Sequence, residues 1–106
     1  MKSGEKMHFR FIYRRALISS YKAGKLSIDE YNTLWEAVRH PRRKKPNGEE
    51  VDLMDEVEKY TMANVPKTGN IIKAIFDWLI ENWDKILKLL LMLLPLFLKE
   101  PETNSG

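Results

Sequence analysis

Five cationic side chains fall within the seven residues Arg39-His40-Pro41-Arg42-Arg43-Lys44-Lys45, the densest run of one chemistry in the chain. Pro41 and Pro46 keep the run extended, and Asn47-Gly48 behind it is a turn signal. Such a run suits phosphate or an anionic lipid headgroup, where each cation near a charged bilayer contributes about 1 kcal/mol. Arg39, Arg42, Arg43, Lys44 and Lys45, joined by Arg14 and Arg15 from an upstream helix, are the candidate contacts to anionic lipid or nucleic acid. A solvated loop is the competing reading of the same residues.

Covalent chemistry has little material. His8 and His40 stand 32 positions apart and cysteine is absent, so disulfides and thiolate metal sites are excluded and a histidine-based one lacks ligands. No glycine-rich phosphate loop, nucleophile elbow or His-Glu-x-x-His motif occurs. Ser19, Ser20 and Ser27 have no histidine near in sequence. Asp77 and Glu81 are one helical turn apart, but on a salt-bridged stripe they set solubility rather than serve as an acid and base. The carboxylates of 49–62 lack the spacing and glycine of a calcium loop. The expectation is a non-catalytic protein with no cofactor and no metal.

The elements that must position the basic run are helical. With 106 residues the chain holds one domain, or one domain and a tail. Apolar residues at 43% and charged residues at 31% exclude both a disordered chain and a polytopic membrane protein. Phe9, Ile12, Tyr13, Ala16, Leu17, Ser20 and Tyr21 recur at spacings of three and four and predict a helix over 7–23, ended by Gly24 in a left-handed C′ position. Ser27-Ile28-Asp29-Glu30 is a capping box that opens a second helix. This helix carries Ile28, Tyr31, Leu34, Trp35 and Val38 on one face, and Pro41 stops it. The pair forms an αα-hairpin, and Asp29 and Glu30 at the second helix start argue against a DNA-reading helix-turn-helix. A short acidic helix over 49–62 follows, with Val51, Met54, Val57 and Tyr60 on one side. Asn70 then caps the last helix.

Charge and apolar surface are segregated. Residues 1–48 hold 12 Lys+Arg against 4 Asp+Glu, a balance of +8, whereas 49–106 hold 6 against 11, a balance of −5. That asymmetry implies contact with something anionic, unless the basic and acidic parts neutralise each other within one fold. From Ile71 to Leu98 only Pro95 interrupts a helical pattern, predicting one helix of 28 residues, about 42 Å long. Its first half is amphipathic; Leu89 to Leu98 is apolar on every side and must be buried in protein or lipid. The apolar run Ile86 to Leu98 has 13 residues, about 20 Å of helix, against the roughly 30 Å of bilayer hydrocarbon. A lone span is therefore disfavoured. The expected arrangement lays the amphipathic half at the interface, with Trp78 and Trp83 at headgroup level and Ile86, Leu87, Leu90, Leu91, Leu94 and Phe97 inserted.

The predicted fold is all-α: an N-terminal αα-hairpin with a basic loop over 1–48, a short acidic helix and linker over 49–69, a long C-terminal amphipathic-to-apolar helix over 70–99, and a polar tail over 100–106. The expected function is that of a small membrane-associated structural or adaptor protein linking a lipid bilayer to a protein or nucleic-acid assembly. A minor component of a membrane-containing virus particle would match this layout, as would a bacterial peripheral membrane protein. A homo-oligomer or larger assembly is the expected partner besides lipid, and nucleic acid is a partner open to the basic loop. With no secretory signal over Met1 to Arg15, the N-terminal part is expected on the cytoplasmic or virion-interior side. The alternatives are an oligomeric pore former with a lytic role and a soluble nucleic-acid-binding helical oligomer.

Overall fold

The computed structural model describes residues 2–67 and 69–97, with side chains from Phe9 onward. In order along the chain stand α1 (Lys2–Lys22), α2 (Ile28–Arg39), β1 (Arg42–Lys44), β2 (Glu50–Asp52), α3 (Leu53–Asn64), α4 (Ile71–Glu81) and α5 (Trp83–Leu93), followed by a 3-10 turn at Leu94–Leu96. The protein is broadly all-α, with one small two-stranded sheet among the described residues. The expected helix end at 98–99 and the polar tail 100–106 lie outside the described residues.

The first helix, α1, begins at Lys2, five residues before the expected start at 7, and ends at Lys22. Phe9, Ile12, Tyr13, Ala16, Leu17 and Ser20 are all buried, whereas Tyr21 is exposed. After α1 the Lys25 N–H donates to the Ser20 carbonyl at 2.9 Å and the Gly24 N–H to the Tyr21 carbonyl at 3.0 Å. This is a Schellman ending, and Gly24 takes the positive φ of +77° that its lack of a Cβ permits. The capping box is complete: Glu30 N–H donates to Ser27 Oγ at 3.1 Å, and Ser27 N–H to Glu30 Oε1 at 2.9 Å. Tyr13, fully buried, donates its hydroxyl to the Leu34 carbonyl at 2.8 Å and so ties α1 to α2. Burial pushes the Tyr13 phenol far above its ordinary range, so it stays protonated and able to donate.

Two expectations are corrected. Residues expected to form an extended basic loop and the first turn of an acidic helix instead pair as antiparallel strands, with Arg42 opposite Asp52, Arg43 opposite Val51 and Lys44 opposite Glu50. The connection Pro46-Asn47-Gly48 closes through Gly48 N–H to Lys45 carbonyl (2.8 Å) and Lys45 N–H to Glu49 carbonyl (2.8 Å), with Gly48 at φ +92°. A three-residue hairpin loop with glycine in the left-handed position has this form. The acidic helix consequently starts later, at Leu53, where Asp52 Oδ1 accepts the Asp55 N–H at 3.1 Å.

The long C-terminal helix is also two helices, not one. Asn82 leaves the helical region at φ −132°, ψ 28°, and its side-chain amide donates to the Trp78 carbonyl at 2.8 Å. Asparagine is among the poorer helix formers because its side chain competes for backbone groups in this way. Tertiary packing uses the break: α4 lies mainly against α1, while α5 lies against α2 and α3. Trp83, immediately after the break, is buried and donates Nε1–H to Ser20 Oγ at 2.8 Å. Its ring also stands edge-on to Tyr13, with centroids 5.3 Å apart and planes at 90°. A straight rod of these 23 residues, about 35 Å long, cannot follow both partners.

One core joins all helices, from Phe9 and Leu17 through Leu34, Leu53 and Val57 to Leu79, Ile86 and Leu90. Thr61 is the exception within it: the residue is fully buried and, among the described residues, its hydroxyl has no hydrogen-bond partner. An unsatisfied buried hydroxyl destabilises by about 1–3 kcal/mol. Thr61→Val, of nearly the same shape, is expected to raise the unfolding temperature by about 4 °C or more in a calorimetric scan, which corresponds to a gain of about 1 kcal/mol.

Candidate functional site

The basic strand and the leucine-rich helix end meet in space although some fifty residues separate them in sequence. Arg43 of β1, Leu90 of α5, Leu94 of the 3-10 turn, Leu53 at the start of α3, and Asn32, Thr33, Glu36 and Ala37 of α2 line one open cavity of about 280 Å³. α2 supplies its polar rim, because its apolar face (Leu34, Ala37) turns inward while Asn32 and Glu36 face solvent. The hairpin supplies the guanidinium: Arg43 Nε donates to the His40 carbonyl at 3.0 Å, which fixes the side chain against the end of α2. His40 Nε2 lies 3.7 Å from Glu36 Oε2 at the same corner.

Beyond this cavity the helix end is bare. Leu91, Met92 and Leu96 are 62%, 69% and 53% exposed on consecutive turns. Leu87, Leu93 and Leu94 are half-buried beside them. The other side of the same segment is core: Trp83, Ile86, Leu90 and Phe97 are buried within this chain, and Trp78 is half-buried against Tyr60. Of the residues expected to enter lipid, Leu91 is therefore fully presented, Leu87, Leu94 and Trp78 in part, and Trp83, Ile86, Leu90 and Phe97 face inward. The premise that Leu89 to Leu98 is greasy on all sides overlooked how much apolar surface α1 to α3 have free to pack on one side of it. Met92 and Leu96 were absent from the expected set, and a signal was available: with Ile86 and Leu90 inward, 100° per residue puts Met92 on the opposite side.

The cations are tempered by their neighbours. Across 42–52, four cationic side chains share a hairpin with the carboxylates of Glu49, Glu50 and Asp52. Lys45 Nζ stands 3.6 Å from Glu49 Oε1, and Arg10 donates to Asp52 Oδ2 at 3.0 Å. The exposed Lys45–Glu49 pair is worth little by itself and the Arg10–Asp52 pair is half-buried, and both lower the local positive potential. Arg39 lies over the Trp35 ring at 5.9 Å, at the end of a row in which Trp35 stacks on Tyr31 and Tyr31 on Tyr21. Arg14 is exposed on α1, and Arg15 lies over Phe11 at 5.5 Å in a different groove, between α1 and α4. The structure thus gathers Arg43 with the leucine-rich end and places Arg15 elsewhere.

Among the described residues no helix is long and apolar enough to cross a membrane, and no group of three or more metal-ligating side chains comes together. The chain matches no protein-family model, no curated protein and no solved structure.

Proposed function

We propose that the protein is a small non-catalytic adaptor that docks on the surface of an anionic lipid bilayer, on the cytoplasmic or virion-interior side, and holds a protein assembly there through its helical body. The observation that supports it is the exposure of Leu91, Met92 and Leu96 next to a cavity walled by Arg43, Leu90 and Leu94. Exposed apolar side chains on a helix end that also borders a cation, Arg43, fit an interfacial anchor, in which burial in the acyl region and attraction to headgroups act together. The anchor lies in the interface and does not span it.

Arg39 and the hairpin residues 42–52 together hold five cations against three carboxylates, a balance of +2. At about 1 kcal/mol per charge, vesicles containing phosphatidylserine are expected to bind the full chain about 10- to 30-fold more tightly than pure phosphatidylcholine vesicles. Co-flotation at low and high salt measures this, and the excess should shrink as salt rises. A chain that stays at the bottom of the gradient with both vesicle types sinks the proposal; steep salt-dependent binding to RNA or DNA in its place would support the nucleic-acid reading.

A further inference from the structure

We infer that the outer edge of β1 takes up, as a third strand, an extended acidic segment of a partner protein with the pattern carboxylate–apolar–carboxylate. This gives the adaptor its protein partner, and it rests on the adaptor reading only for the purpose the contact serves. The bonds at the two ends of the hairpin, Lys45 N–H to the Glu49 carbonyl and Leu53 N–H to the Pro41 carbonyl, fix which residues bond across it. Bonded and unbonded pairs alternate in an antiparallel ladder, so Arg43 turns its N–H and C=O toward Val51, while Arg42 and Lys44 turn theirs away from β2. Among the described residues no third strand covers them. The edge thus offers two donors and two acceptors in alternation, the row that an added strand completes.

The side chains select the occupant. Arg42 and Lys44 are exposed on one face of the hairpin, and half-buried Arg43 is on the other, where it walls the cavity beside Leu90 and Leu94. Among the described residues neither Arg42 nor Lys44 has an ion-pair partner, whereas Arg10 and Lys45 do. β2 shows what pairs with this strand: Asp52 stands opposite Arg42 and Glu50 opposite Lys44, with Val51 between them. An acidic strand on the open edge repeats that pattern and brings both cations the carboxylates they lack, since cross-strand pairs of opposite charge are stabilising. Other occupants fail on the same groups. A lipid or nucleic-acid phosphate meets the cations but brings no donor for the outward carbonyls. A second copy's β1 would set cations against cations, and in its β2 Asp52 is already held by Arg10 at 3.0 Å and by the Asp55 N–H at 3.1 Å.

The test is a nuclear magnetic resonance titration of the full chain, without lipid, with a capped peptide of the sequence Gly-Glu-Glu-Val-Asp-Leu that β2 itself carries, taken to about 1 mM to capture a weak contact. Saturable binding is expected, with hydrogen exchange of the Arg42 and Lys44 amides slowed at least about fivefold. Lys44→Gln, which removes one charge, should raise the dissociation constant about three- to fivefold. Lys44→Pro also removes the outward N–H while leaving the β1–β2 bonds in place, and should raise it about tenfold further. If Lys44→Pro melts below wild type, the wild-type amide exchange decides alone. Absence of saturable binding overturns the inference. So do equal affinities for Lys44→Gln and Lys44→Pro, which would leave charge attraction only, and a peptide-free mass above the 12.5 kDa of one chain that falls on Lys44→Pro, which would make the occupant a second copy. Vesicle flotation of the same preparation keeps the two proposals apart: peptide binding without flotation supports this edge and sinks the lipid anchor, and flotation without peptide binding does the reverse.

Discussion

Trp83→Ala is expected to lower the free energy of unfolding by about 3–5 kcal/mol, the range for deleting a buried aromatic ring. Trp83 is 4% exposed, donates to the buried Ser20 hydroxyl and stands edge-on to Tyr13. Its removal opens a cavity where α1 meets the start of α5 and leaves Ser20 Oγ without that donor. For a domain of this size the total stability is about 5–15 kcal/mol, so the variant stands near the edge of folding. Urea titration followed by circular dichroism should show the midpoint lowered by about 2 M or more. Trp83→Phe separates the two contributions: it keeps most of the ring and loses the N–H, and should cost about 1–2 kcal/mol. A Trp83→Ala midpoint within experimental scatter of wild type would mean that the Trp83 contacts do not hold α5 to α1.

The second large effect falls on binding and leaves stability alone. Leu91→Glu combined with Met92→Glu is expected to lower the vesicle partition coefficient at least about 100-fold, because each removes roughly 1.5–3 kcal/mol of apolar burial. Both side chains are more than half exposed and touch little of the core, so the unfolding midpoint should move by no more than about 0.5 kcal/mol equivalent. Leu90→Ala is the informative contrast. That side chain is 1% exposed, and its truncation should destabilise by about 2–5 kcal/mol. If the double glutamate variant floats with vesicles as wild type does, the exposed leucine end is not the anchor.

Local signals that act within a few residues were legible in the sequence. Gly24, the Ser27/Glu30 box, the stop before Pro41 and the Asn70 cap act through backbone geometry that depends only on near neighbours, and each stands where its residue type places it. The α1 stripe was legible because six side chains at helical spacing leave one consistent inward face. The break at Asn82 was not, because Glu81-Asn82-Trp83 contains neither proline nor glycine and the patterning continues through it. Asn82 is a weak local signal, and the contact that accompanies the break joins Trp83 to Ser20, a residue 63 positions earlier. The hairpin was half legible: Asn47-Gly48 announces a turn, but Arg42 to Lys44 has few strand-favouring residues, and its partners Asp52, Val51 and Glu50 lie beyond the turn in a segment whose pattern reads as helix. For the candidate site, composition told that cations and leucines exist in separate runs. That Arg43 and Leu94 border one cavity is a property of the fold alone.

The 63-residue separation between Trp83 and Ser20 also sets a clock. At about 5–20 residues per second, translation needs about 3–13 s to deliver the indole after the serine has been made. For most of that interval the face of α1 destined for α4 and the Trp83 ring lacks both, and the nascent hairpin is a sticky object waiting on the ribosome. The last helices are thus the fastening that completes the domain, and a message cut short before Trp83 would release a chain bound for aggregation or a chaperone.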